Sequence, residues 1–397
     1  MRKYQQLVLI VVTIISVFLV VVYRNEYLRL RYVLEVLNFF GTPPKKEDIL
    51  SLSKPHLSTW NPEPVWQKLD DNFYAYAAHK TENIGEIKVL AIGDNKIETV
   101  KLTCNLWFED NDKPTIGKFS YVILSQGKIF NNYLFLCKQK QLKQVPYAIS
   151  FANSPKIFIK NKNSLDKISQ FTVCALPALN NFYDTQSIVD FISHNQVLGA
   201  DEFIFYNDFI SPKIQTALHR TSIAINASFT FFPWNIPNNK YENMQELITR
   251  DCLYRTAGRS KYVMIINLNE FIIPKYSSSL VTILNTLENV KDVHRFTIYV
   301  IKFCKALMRL KNILLNTRYL PYTAGEMDEF TVYTNINSDV HSETVQTRVV
   351  DMDTVVLNRY IKCNVKAITL PDSTAMNFAA HLNNAELKIL YETGGFI

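Results

Sequence analysis

The chain has 397 residues, 48% of them hydrophobic and 20% charged, enough to bury a real core and to hold two domains. Only 10 residues are glycine. None stands in G-x-G or G-x-x-x-x-G-K spacing, so the backbone phosphate cradles of classical nicotinamide and P-loop proteins are excluded. No histidines stand four apart, no G-x-S-x-G occurs and no cysteines stand three apart, which removes zincin helices, nucleophile elbows and zinc ribbons. The formal charge of +7 is concentrated at one end. Arg2, Lys3, Arg24, Arg29 and Arg31 against Glu26 give +4, so the rest of the chain is nearly balanced and nucleic acid is not an expected partner.

Those early charges bracket an uncharged run, Leu7 to Tyr23. At about 1.5 Å per residue it reaches roughly 25 Å, the low end for a transmembrane helix. The run is longer than a usual signal-peptide core and no small-x-small cleavage site follows, so residues 7–23 read as an uncleaved signal anchor after a tail at 1–6. Basic residues flank both of its ends, and the positive-inside rule alone does not choose an orientation. Thr42-Pro43-Pro44, Lys54-Pro55 and Asn61-Pro62-Glu63-Pro64 then break any helix, making residues 24–66 a stem.

Residues 67–168 hold short β-type runs, 87–92, 98–108, 119–125, 133–137 and 156–159, with no helical period between them. They predict a small antiparallel β module. From 169 to about 390 the rhythm changes. Strands are expected at 171–179, 201–208, 222–234 and 261–267, and helices at 185–199, 211–220 and 242–257, with Ser211 capping and Pro212 opening the second helix. Strands alternating with helices predict an α/β domain with a mainly parallel sheet flanked by helices. All six cysteines (Cys104, Cys137, Cys174, Cys252, Cys304, Cys363) follow the anchor. An even count permits up to three disulfides in an oxidising compartment, and buried free thiols are the alternative. Asn226-Ala227-Ser228 is one glycosylation sequon.

Ligands of open α/β sheets bind beyond the carboxyl ends of the strands. There, directly after the apolar strand Lys261 to Ile266, stands Asn267-Leu268-Asn269-Glu270. Without a glycine cradle, a nucleotide diphosphate would need a divalent cation held by hard oxygen ligands, and this tetrad is placed to supply them. Two asparagines and a glutamate that merely cap and turn the chain are the other reading.

From Cys174 to Pro274 a series of segments resembles glycosyltransferase family 92, whose members are membrane-anchored enzymes with a GT-A-type nucleotide-sugar domain. The segments are Cys174-Ala175-Leu176-Pro177, ISHNQVLGA at 192–200, Phe203 to Tyr206, Pro233-Trp234, QELITRDCLYR at 245–255 and NLNEFIIP at 267–274. Lys366-Ala367-Ile368 with Pro371 and His381 continues it more weakly. The resemblance implies a GT-A-like domain at 169–390 and a single-pass type II protein of the Golgi or another secretory membrane, its body luminal. It implies transfer of a sugar, galactose from UDP-galactose, to a hydroxyl of an acceptor glycan with manganese as cofactor. Asn267, Asn269, Glu270 and His381 are then metal candidates, and Asp208, Asn267 and Asn269 donor-binding candidates. The family reads Asp-x-Asp-Glu where this chain has Asn267-Leu268-Asn269-Glu270, so an inactive glycan- or partner-binding membrane protein is the alternative. A carboxylate base would deprotonate the acceptor; Asp328 and Glu329 lie downstream, and nothing in the pattern selects either. Trp234 is placed either to stack on sugar or to pack in the core.

Overall fold

The computed structural model describes residues 65–80, 85–97, 102–128, 130–139, 144–152, 154–160, 168–177, 185–207, 210–234, 236, 244–288, 293–304, 318–319, 327–334, 346–361, 370–372, 374–376, 381 and 384–392. The predicted anchor at 7–23, and all of the predicted stem but its last two residues, lie outside them. Among the described residues no helix is long and apolar enough to cross a membrane.

The first layer is β1 (Gln67–Asp70), β2 (Phe73–Lys80), β3 (Glu86–Asp94), β4 (Cys104–Trp107), β5 (Thr115–Ser125), β6 (Phe130–Lys138), β7 (Ala148–Phe151) and β8 (Ile157–Lys160). Its order is β1-β2-β3-β6-β5-β4-β7-β8, and β2 also pairs with β8. That last, parallel pairing, Ala78 to Ile159 and His79 to Lys160, closes β2 through β8 into a seven-stranded barrel with β1 outside the ring. Phe73, Val89, Phe135, Ile149 and Phe151 fill the interior. A disulfide joins Cys104 on β4 to Cys137 on β6, and Gly117 on the intervening β5 lies beneath it. A β-carbon at Gly117 would collide with Cys137 Sγ, so glycine is what lets the bridge form.

The second layer begins with β9 (Ser169–Ala175), α1 (Thr185–Val197), β10 (Glu202–Asn207), α2 (Pro212–Thr221), β11 (Ser228–Pro233), α3 (Met244–Thr256), β12 (Ser260–Ile266), β13 (Glu270–Pro274) and α4 (Leu280–Glu288). It continues with β14 (Val293–Cys304), β15 (Arg318–Tyr319), β16 (Glu329–Thr334), β17 (Gln346–Val349), β18 (Val355–Ile361), β19 (Leu370–Pro371) and α5 (Glu386–Glu392). Helix α1 ends where Gly199 takes φ +108°, and a side chain there would press on Val281 at the start of α4. Ser211 caps α2, its Oγ accepting from the Ile214 amide at 3.4 Å.

The expected fold class is overturned. Strands β9, β10, β11 and β12 do run parallel, but β16 enters antiparallel beside β12, and β14 pairs antiparallel with β16 and β15 and parallel with β17 and β18. With β13–β18 and β15–β19 antiparallel, half of the pairings in this sheet are antiparallel. The chain is mostly β, built on a closed barrel and a mixed sheet. It is not a parallel sheet flanked by helices. The physical reason is that periodicity reports which side chains are buried, while strand direction is set by partners distant in sequence, as where Val263 of β12 meets Tyr333 and Glu270 of β13 meets Arg359. The predicted strand at 222–234 is also shortened: Thr221 continues α2 and Asn226 turns with φ +48°, so only Ser228–Pro233 extends.

Barrel and sheet share one apolar cluster, with Tyr76, Leu90, Ile92 and Leu134 from the barrel against Leu247, Ile248 and Leu253 of α3 and Ile204, Val263 and Ile265 of the sheet. A second disulfide, Cys174 to Cys252, ties β9 to α3.

Candidate functional site

Strand β12 is apolar from Tyr262 to Ile266 and buried throughout. It stops at Asn267, where the Glu270 amide donates to the Asn267 carbonyl at 3.0 Å and closes a turn that delivers Glu270 to the first position of β13. Register then assembles the charges. Glu270 on β13 stands opposite Arg359 on β18, and Arg359 stands beside Lys302 on β14, so a carboxylate and two cations meet across neighbouring strands.

Glu270 is 2% exposed and its oxygens are fully engaged. Arg359 Nε donates to Oε1 at 2.5 Å. The Asn267 backbone amide and side-chain Nδ2 donate to Oε2 at 2.9 and 3.0 Å. Arg359 Nη1 also reaches Asp328 Oδ2 at 2.7 Å, which Lys302 Nζ approaches to 3.1 Å. Asn269 bridges β13 to β18: its Nδ2 donates to the Tyr360 carbonyl at 2.8 Å, and the Tyr360 amide donates to the Asn269 carbonyl at 2.9 Å.

A cavity of about 480 Å³ opens over this turn, walled by Asn267, Asn269, Glu270 and Arg359, by Gln245 and Thr249 of α3, and by Glu329, Thr331 and Tyr333 of β16. Gln245 and Thr249 are four apart, which puts them on one face of the helix. Glu329, Thr331 and Tyr333 alternate along a strand and share its other wall. Amides, hydroxyls, the Phe330 and Tyr333 rings, the Glu270 and Glu329 carboxylates and the Arg359 guanidinium line it, a mix suited to a polyhydroxylated ligand whose negative charge meets Arg359.

The side chains present do not fit a resident divalent cation. Both asparagines direct their Nδ2 donors into protein contacts, the one carboxylate of the tetrad is saturated, and Arg359 places a positive charge at 2.5 Å from it. Among the described residues no three His, Cys, Asp or Glu side chains gather to hold a metal. Asn267, Asn269 and Glu270 are therefore brought together, whereas His381 is exposed and does not line the cavity. Asp208 lies outside the described residues. Asn226 is exposed at the turn before β11. Trp234 is 2% exposed and packs against Trp66, Tyr76 and Tyr206, a core residue.

The structure adds Arg359, Gln245, Thr249 and Tyr333, none of which the sequence singled out. The i,i+4 spacing of Gln245 and Thr249 was a usable signal. Arg359 had none, because its importance comes from a register formed 89 residues from Glu270.

Residues 169–312 match glycosyltransferase family 92. The resemblance carried by the motifs from Cys174 to Pro274 is borne out over that stretch. No curated protein sequence matches the chain. Among solved structures, HddC from Yersinia pseudotuberculosis is similar at 11% identity and a TM-score of 0.27, covering 54% of this chain and 99% of that one. Residues 1–349 of TarS from S. aureus align at 9% identity and 0.25, over 56% and 68% of the two chains. A mycobacterial protein aligns at 11% and 0.23, over 55% and 74%. TM-scores this low do not assign a fold.

Proposed function

We propose that the protein is a glycosyltransferase that moves a sugar from a nucleotide-sugar donor to a hydroxyl of an acceptor glycan in the cavity over residues 267–270. The observation that carries this reading is the coincidence of the family-92 stretch with a polar cavity at the carboxyl end of β12. By the family resemblance the donor is UDP-galactose.

In this reading Arg359 meets the negative charge that develops on the departing diphosphate. Its Nε and Nη1 are held by Glu270 and Asp328, which fixes the guanidinium plane, and Nη2 has no partner among the described residues. A guanidinium so fixed is a preorganised electrostatic group whose orientation need not be found during the reaction. Gln245, Thr249 and Thr331 supply neutral donors and acceptors for sugar hydroxyls, and Tyr333 an aromatic face. The tetrad does not fit a divalent cation, so in this reading Arg359 alone meets that charge. The disulfides Cys104–Cys137 and Cys174–Cys252, with Cys304 also disulfide-bonded, support a luminal compartment of the secretory pathway, where the exposed Asn226 sequon would be open to modification.

The test is release of UDP from UDP-galactose by the purified full chain, with and without a glycan acceptor, in EDTA and in manganese. Turnover in EDTA supports the reading. A second reading, a glycan-binding protein without turnover, is favoured by the two amides that replace the family's aspartates. Glycan binding with no UDP release in either buffer would establish it instead.

A further inference from the structure

Three carboxylates lie on or beside the cavity that Arg359 lines, and the structure treats them differently. Glu270 is buried, with both oxygens held by Arg359 and Asn267. Asp328 is tied by its Oδ2 to Arg359 and Lys302 and does not line the cavity. Glu329, the first residue of β16, is exposed, lines the cavity, and its carboxylate has no ion pair or hydrogen bond among the described residues.

A proton acceptor must be reachable from the cavity and must have a free lone pair there. Glu270 fails because both of its oxygens are already engaged, and Asp328 because it does not line the cavity. Glu329 meets both conditions, and its backbone is fixed by pairing with Tyr299 across β14. Alternation puts it on the same strand face as Thr331 and Tyr333, the wall opposite Gln245 and Thr249.

We infer that Glu329 is the catalytic base that deprotonates the acceptor hydroxyl. This rests on the glycosyltransferase reading and names a residue that reading does not require. In the step, the acceptor oxygen forms a bond to the anomeric carbon as its proton passes to a Glu329 carboxylate oxygen. The bond from the anomeric carbon to the diphosphate oxygen breaks, and its electron pair leaves on the nucleoside diphosphate beside Arg359. The proton returns to solvent from Glu329, and the electron count closes.

The experiment compares wild type, Glu329→Gln and Glu329→Asp in UDP release from UDP-galactose with a glycan acceptor present, with UDP affinity measured by calorimetry. Glu329→Gln should lower kcat about 100-fold or more and leave UDP affinity within about twofold. Glu329→Asp, which keeps a carboxylate, should recover part of that kcat. A Glu329→Gln protein whose kcat matches wild type overturns the inference while the enzyme reading stands. So does a loss that appears only as weaker UDP affinity. No UDP release by wild type sinks the enzyme reading itself, and the assigned base with it.

Discussion

Asn267 and Asn269 each commit an amide donor at a position where an aspartate would bring charge and no donor. Asn267 Nδ2 faces Glu270 Oε2 at 3.0 Å, so Asn267→Asp sets two carboxylates together and breaks that bond. Asn269→Asp leaves the Tyr360 carbonyl without its side-chain donor. Each is expected to cost about 1–3 kcal/mol of stability, the range for orphaning a buried polar partner, read as a lower urea midpoint with unchanged slope. Manganese gives the complementary measurement. Wild type should show no thermal shift with the metal, because its tetrad has one carboxylate and that one is saturated. The Asn267→Asp, Asn269→Asp pair should be partly restored by it, since added carboxylates raise affinity for a hard cation. Equal shifts in both proteins would show that the amides ligate well enough. The tetrad itself was legible in the sequence, because a polar cluster following a wholly apolar strand has few other places to lie. Arg359 was not, and Glu329 could not be ranked above Asp328, because what separates those two acids is a pair of cations brought by β14 and β18.

At the scale of elements, single polar contacts fix how α1 and α3 sit. His194 on α1 is buried, and its Nε2–H donates to the Ile272 carbonyl of β13 at 2.8 Å, with the Phe271 ring across it. Burial pushes its pKa down from 6.5 to about 4, a fall that the bond to Ile272 only partly opposes. The unfolded chain takes up this proton near pH 6.5 while the native state resists until about 4, so the stabilisation is complete above 6.5 and lost as pH falls through that window. At about 1.4 kcal/mol per pH unit the loss is about 3 kcal/mol by pH 4. Urea unfolding at pH 7 and pH 4.5 should show most of it in wild type and little of it in His194→Gln. Asp251 on α3 holds a larger knot: His79 of β2 at 2.8 Å, the Tyr206 hydroxyl of β10 at 2.7 Å, and Arg255 at 2.5 and 3.0 Å. Burial acts to raise its carboxyl pKa, but Arg255 and His79 win and hold it well below the usual carboxylate range. Asp251→Asn strands Arg255 in the interior and should cost about 3–5 kcal/mol, measured by the same unfolding. Local chemistry predicted α1 through the Gly199 stop and α2 through the Ser211-Pro212 start. It missed β2, since FYAYAAHK is buried at nearly every position and shows no alternation, and it extended β11 backward over residues whose apolar run is bent by the turn at Asn226.

For the whole molecule, the decisive contact is between the barrel and α3. Residues 61–397 form one compact unit, and α3 packs on β2, β3, β5 and β6. Tyr76 of β2 lies edge-on to Trp234 at 4.6 Å and donates its hydroxyl to the Pro233 carbonyl at 3.0 Å, with Trp66 closing the group at 5.0 Å from Tyr76. Removing the barrel would uncover Trp234, Leu247, Ile248 and Leu253 together, an apolar patch of the size that soluble surfaces avoid. It would also free the helix that carries Gln245 and Thr249 into the cavity. Residues 169–397 expressed alone should therefore bind a hydrophobic dye, lack a cooperative melt and fail to bind UDP, while residues 61–397 should unfold in one transition. A cooperative 169–397 fragment with native near-UV dichroism would mean that the mixed sheet carries its own sufficient core. The barrel would then be an appended layer, and the walls of the cavity would not depend on it.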